Sequence, residues 1–113
     1  RQAHRGTQVG AEMMTEKQIE AWLGRQVKAL GCLYYKWVSP GNDGVPDRII
    51  ILPGGHVVFA ELKTDLGQTT PMQQYQLRRL RKRGCLAFAL HGLEDAEQLV
   101  GIVRELIGNA HEN

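Results

Sequence analysis

Apolar residues recur along the chain at spacings that alternate between helical and extended periods. Ile19, Trp22, Leu23, Val27 and Leu30 return every three or four residues, the signature of an amphipathic helix. Ahead of them Thr15-Glu16-Lys17-Gln18 fits a capping box, in which the Thr hydroxyl and the Gln amide satisfy backbone groups left open at a helix start. Gly31 suits the C-terminal cap. The aromatic and β-branched stretch from Cys32 to Val38 predicts a first strand. Ser39 to Pro46 reads as a loop, Asp47 to Leu52 as a second strand, Pro53-Gly54-Gly55 as a turn, and His56 to Lys63 as a third strand. After a loop at Leu66 to Thr69, Thr70-Pro71-Met72-Gln73 opens a second helix, with Thr as cap and Pro at the first helical position. That helix is expected to reach about Arg83 and stop at Gly84. Cys85 to Leu90 predicts a fourth strand, and Glu94 to Ile107 a third amphipathic helix ending near Gly108. The order α-β-β-β-α-β-α predicts a small mixed sheet flanked by helices, in the α/β or α+β class.

A chain of 113 residues allows one compact domain. Residues 1–13 are nearly devoid of apolar side chains and read as a flexible leader, with Met13 or Met14 as a candidate start. The folded domain is expected over residues 14–108, with 109–113 as a C-terminal tail. The longest apolar run, Ile49 to Leu52, is far too short to span a bilayer, and no signal-peptide pattern is visible. Cys32 and Cys85 lie in apolar surroundings without CxxC spacing, so buried free thiols are expected, and with them a cytoplasmic protein with no membrane partner. The net charge of +2 conceals an asymmetry: +6 from Lys17 to Arg83, and −4 from Gly84 onward. One side of the molecule can therefore attract a polyanion although the whole is nearly neutral.

Several charged and polar residues sit where a core would be expected. Glu61 and Lys63 share one face at the end of an otherwise apolar strand. Such a pair can be a local ion pair, just as Asp47 after a Gly-Val-Pro turn can simply cap that turn. Hairpin pairing about Pro53-Gly54-Gly55 nevertheless brings Asp47 against Glu61, and two converging carboxylates repel unless a cation lies between them. Hard oxygen ligands of this kind favour Mg²⁺ or Mn²⁺ over zinc. On the first helix, with Ile19 at zero, Leu30, Leu23 and Val27 fall at about 20°, 40° and 80° and Glu20 at about 100°, on the rim of the core face. On the second, Gln73 and Gln76 lie within an arc defined by Met72, Leu77 and Leu80, although Gln73 also has a role in the Thr70 capping box. Arg78, Arg79, Arg81, Lys82 and Arg83 spread over the other side, where Arg78 and Lys82 are the pair best placed to follow one phosphate track.

Pro46-Asp47 followed by Glu61-Leu62-Lys63 resembles the PD-(D/E)xK nuclease signature, and the αβββαβ order is similar to that superfamily's restriction-endonuclease-like core. Tyr35-Lys36-Trp37, the segment Ser39 to Asp47, Glu61-Leu62-Lys63 and Pro71-Met72-Gln73 narrow the resemblance to the VRR-NUC domain, the virus-type replication–repair nuclease. It covers about residues 15–108. The resemblance implies that Asp47, Glu61 and the Leu62 backbone carbonyl bind Mg²⁺ or Mn²⁺. It implies catalytic roles for Lys63, for Gln73 on the facing helix, and for Glu20 as the acid of the first helix, acting directly or through water. Lys36, Ser39, Asn42, Arg78 and Lys82 are the expected nucleic-acid contacts. The function so implied is a structure-selective DNA endonuclease of phage or DNA-repair type, resolving Holliday junctions as a homodimer. A flap or nicking nuclease and a non-catalytic DNA-binding or assembly module are the alternatives.

Overall fold

The computed structural model describes residues 14–112, so the expectations for the leader lie outside the described residues. Helix α1 spans Glu16–Ala29, strands β1, β2 and β3 span Leu33–Lys36, Arg48–Ile51 and Val57–Lys63, helix α2 spans Pro71–Lys82, β4 spans Leu86–His91, and α3 spans Gly92–Glu112. The expected element order is present. Both capping boxes form: Thr15 with Gln18, and Thr70 with Gln73.

Boundaries differ from the expectations in informative places. Strands β1 and β2 are shorter than their apolar runs because the loop between them already peels away at Trp37 and Asp47. One hydrogen bond, from the Trp37 amide to the Asp47 carbonyl (2.7 Å), holds the two chains together just beyond the paired residues. Helix α3 begins directly after β4 and continues through the expected tail to Glu112. Gly108 does not stop it, since its φ is not positive and the left-handed cap is absent.

The sheet runs β1-β2-β3-β4, antiparallel for the first two pairings and parallel for β3 with β4. Residues paired across strands share a face. On one face Ile50, Val58, Ala60, Leu62 and Leu90 pack with Ile19, Leu23 and Val27 of α1 and with Ala96, Leu99, Val100 and Val103 of α3. This is the main core, and truncating one of its leucines to alanine is worth about 2–5 kcal/mol. The opposite face carries Phe59, Glu61 and Lys63 of β3 beside Ala87, Ala89 and His91 of β4. There α2 lies against β4 and buries only Leu77, while Met72 stays 47% exposed, so the apolar arc expected on this helix is mostly not core. Cys32 is buried and Cys85 half-buried, and both thiols are free. Among the described residues no helix is long and apolar enough to cross a membrane.

Candidate active site

The β2–β3 register sets the site. Arg48 lies opposite Ala60, so Asp47, one residue earlier, falls opposite Glu61 on the α2 face. Glu61 is 2% exposed, the one charged or polar side chain buried among the described residues. Its Oε2 accepts a hydrogen bond from Nε2 of Gln73 (3.0 Å) and has Nζ of Lys63 at 3.8 Å. Its Oε1 is buried with no donor. Burial, and next the Asp47 carboxylate, push the Glu61 carboxyl up to about 8. A proton shared with Asp47 is the local way to satisfy the bare oxygen, and a cation between the carboxylates is the other.

The second helix holds this arrangement from one side. Gln73 uses its Oε1 to accept from the Thr70 amide in the capping box, which leaves Nε2 aimed at Glu61. The capping role and the site role are therefore the same conformation. Gln76 donates from Nε2 to the Asp43 carbonyl (3.1 Å), and Gly44, with φ of +85°, packs so closely that a Cβ there would meet the Met72 backbone at 2.7 Å. Two contacts thus clamp the loop before Asp47 onto α2. Beyond Lys63, Nδ1 of His91 donates to the Gly67 carbonyl (2.9 Å), fixing the turn that leaves β3.

Not every expected residue joins this cluster. Glu20 lies on the α1 side of the sheet, where its Oε1 accepts from Arg48 at 3.0 Å, and the structure does not bring it into contact with Glu61. Side chains alternate along β2, and Arg48 faces α1 where Asp47 does not. Glu16 of α1 also acts on Glu61, its charge being the smallest of the contributions that raise the Glu61 carboxyl. The helical wheel already contained the signal, since Glu16 falls at about 60°, inside the apolar arc. Among the described residues no three Asp, Glu, His or Cys side chains converge as a metal-binding group. Asp47 and Glu61 are the side-chain ligands on offer, and Mg²⁺ commonly takes one or two carboxylates while keeping waters and phosphate oxygens. The orphaned buried oxygen and the facing carboxylate fit such an ion.

The expected nucleic-acid residues divide as well. Ser39 and Asn42 bond to each other, Nδ2 of Asn42 donating to Oγ at 3.0 Å, which rigidifies their loop. Lys36 is exposed on the α1 face as the register partner of Arg48. On α2, Arg79 stacks on and donates to Tyr75, Arg81 donates to the Ala87 carbonyl, and Arg83 donates to the Arg79 carbonyl. Arg78 and Lys82 are exposed.

Fold and site together define a restriction-endonuclease-like nuclease domain. No family model matches the chain. A solved structure described as "VRR_NUC domain" superposes with a TM-score of 0.73 at 30% identity, covering 78% of this chain and 97% of that one. A second, described as "VRR_NUC domain protein", shares the fold at 19% identity and a TM-score of 0.66, over 82% and 90% of the two chains. The curated phage protein "Putative nuclease p44" of Acyrthosiphon pisum secondary endosymbiont phage 1 is 44% identical over 66 residues, which are 58% of this chain and 68% of that protein. The chain belongs to the VRR-NUC nuclease family.

Proposed function

We propose that this protein is a divalent-metal-dependent endonuclease that hydrolyses phosphodiester bonds in branched DNA, resolving Holliday junctions as a homodimer. The observation that carries the reading is the buried Glu61, one oxygen bare, facing Asp47 and lying two residues from Lys63 on one strand face. Asp47 and Glu61 hold Mg²⁺ or Mn²⁺, with the Leu62 carbonyl as a further ligand. The ion supplies Lewis acidity at the scissile phosphate when bound.

The protein's own groups do the rest. Gln73 holds one Glu61 oxygen by a hydrogen bond and leaves the other free, so that it would serve as a ligand. The Lys63 ammonium positions the attacking water and offsets charge growing on the phosphoryl oxygens. Glu20 would act from the first helix directly or through a bound water. Arg78 and Lys82 meet the phosphate backbone. Two copies about a two-fold axis would supply the extended surface that a domain this small lacks, and would match the symmetry of a four-way junction. Cleavage of a panel of four-way, flap, nicked and linear DNAs, combined with a solution mass measurement, tests the reading. Symmetric paired cuts in the four-way junction by a dimer are expected. Preference for flaps or nicks, or a monomer in active solutions, overturns junction resolution.

A further inference from the structure

Helix α1 presents to the β1 edge a set of residues that the catalytic reading does not use. With Ile19 at zero, Lys17, Lys28 and Arg25 fall at about 160°, 180° and 240°, one basic stripe on the side of the helix away from the core arc. Between this stripe and the sheet lies an open groove of about 410 Å³. Tyr34 forms part of its lining, donating to the Glu20 carbonyl at 2.9 Å, and Gly24 makes room for the ring, since a Cβ there would come within 2.8 Å of it. Arg48 lies over the same ring, 5.0 Å from its centre. It donates one terminal nitrogen to Glu20, while its Nε has no acceptor. Four cations thus line the groove against one carboxylate.

The groove begins at the catalytic end of the sheet. Arg48 directly follows Asp47 in the chain, and Lys17 follows Glu16, whose charge reaches Glu61. From Lys17 to Lys28 the helix advances about 16 Å, the axial length of roughly five phosphates on one DNA strand. With four cations against one carboxylate, the groove favours a polyanion over an apolar or cationic ligand. Lys36, on the same face as Arg48, extends the positive surface along β1.

We propose that this groove is a phosphate track that holds an arm of the nucleic-acid substrate along α1, away from the carboxylate pair. The inference rests on the nuclease reading, and the test separates the two. Lys17, Arg25 and Lys28 are exposed, and alanine is the better helix former, so the triple alanine variant retains its fold. Affinity for a four-way DNA with duplex arms is measured by anisotropy in EDTA across a salt series. The slope of log K against log salt is expected to fall by about 2–3, at about 0.9 per lost contact. Arg104→Ala on α3, outside the groove, is expected to leave the slope unchanged. An unchanged slope in the triple variant, or an equal loss per charge at Arg104, overturns the track even if the parent cleaves DNA. A parent that binds with the steep slope, loses it in the triple variant and yet cuts nothing in Mg²⁺ or Mn²⁺ refutes the nuclease reading and leaves the track standing.

Discussion

Replacing Glu61 by glutamine should make the metal-free protein more stable while removing its activity. The carboxyl is 2% exposed, faces Asp47, and titrates at about 8 in the fold against 4.5 as an ordinary side chain. Between those values the native state binds more protons than the unfolded chain, so stability is greatest at the acid end and falls as pH rises through the window. Each pH unit is worth about 1.4 kcal/mol, which places the cost on the order of 3 kcal/mol at pH 7. Glutamine is neutral and nearly isosteric. Its oxygen still accepts from Gln73, and its amide can donate to Asp47, while Lys63 loses a partner worth about 1 kcal/mol. The net gain is therefore on the order of 2 kcal/mol, or about 10 °C in melting temperature for a domain of this size. Thermal melts in EDTA at pH 5 and pH 8 measure it. The gain should be large at pH 8 and small at pH 5, and added Mg²⁺ should raise the wild type alone. A variant that melts below wild type at pH 8, or by the same margin at both pH values, refutes the reasoning.

Other substitutions separate the roles of neighbouring groups. Lys63→Ala should keep metal and DNA affinity but lose cleavage by about two orders of magnitude or more, read from single-turnover rates; a matching loss of metal affinity would assign Lys63 to structure. Glu20→Gln should weaken the fold by about 1 kcal/mol through its pairing with Arg48 and lower cleavage by about 100-fold, whereas cleavage within a few-fold of wild type would remove Glu20 from the chemistry. Replacing Arg78 and Lys82 together by alanine should lower the salt slope of DNA binding by about 2 without changing the melting temperature; equal slopes would remove α2 from the binding surface.

Much of this was legible in the sequence because local rules and the global fold agree. Both capping boxes, the hairpin turn and the apolar periods each specify their element without tertiary help. The opposition of Asp47 and Glu61 follows from the hairpin register alone. Face assignment around the helices was harder. Glu20 and Glu16 fall at about 100° and 60° on the same wheel, and the angle alone does not reveal that Arg48 waits beneath one of them. Arg48 was hidden because an arginine opening a strand reads as a solvated edge, whereas Tyr34 and Glu20 enclose it. In the basic run on α2 the helical spacing singles out Arg78 and Lys82 but does not reveal that the three other arginines have partners within the domain. Composition counts charges and does not tell which of them are already paired.

The most direct test of the assigned centre is cleavage of a four-way DNA by wild type and by Asp47→Asn, with and without Mg²⁺. Asparagine keeps the shape and removes the charge that a divalent cation needs opposite Glu61. The wild type should cut only with the metal and stop on addition of EDTA, and Asp47→Asn should remain inactive at every Mg²⁺ concentration while retaining DNA binding. Cleavage by the wild type in EDTA, or turnover by Asp47→Asn at the wild-type rate, would contradict the carboxylate pair as the metal centre.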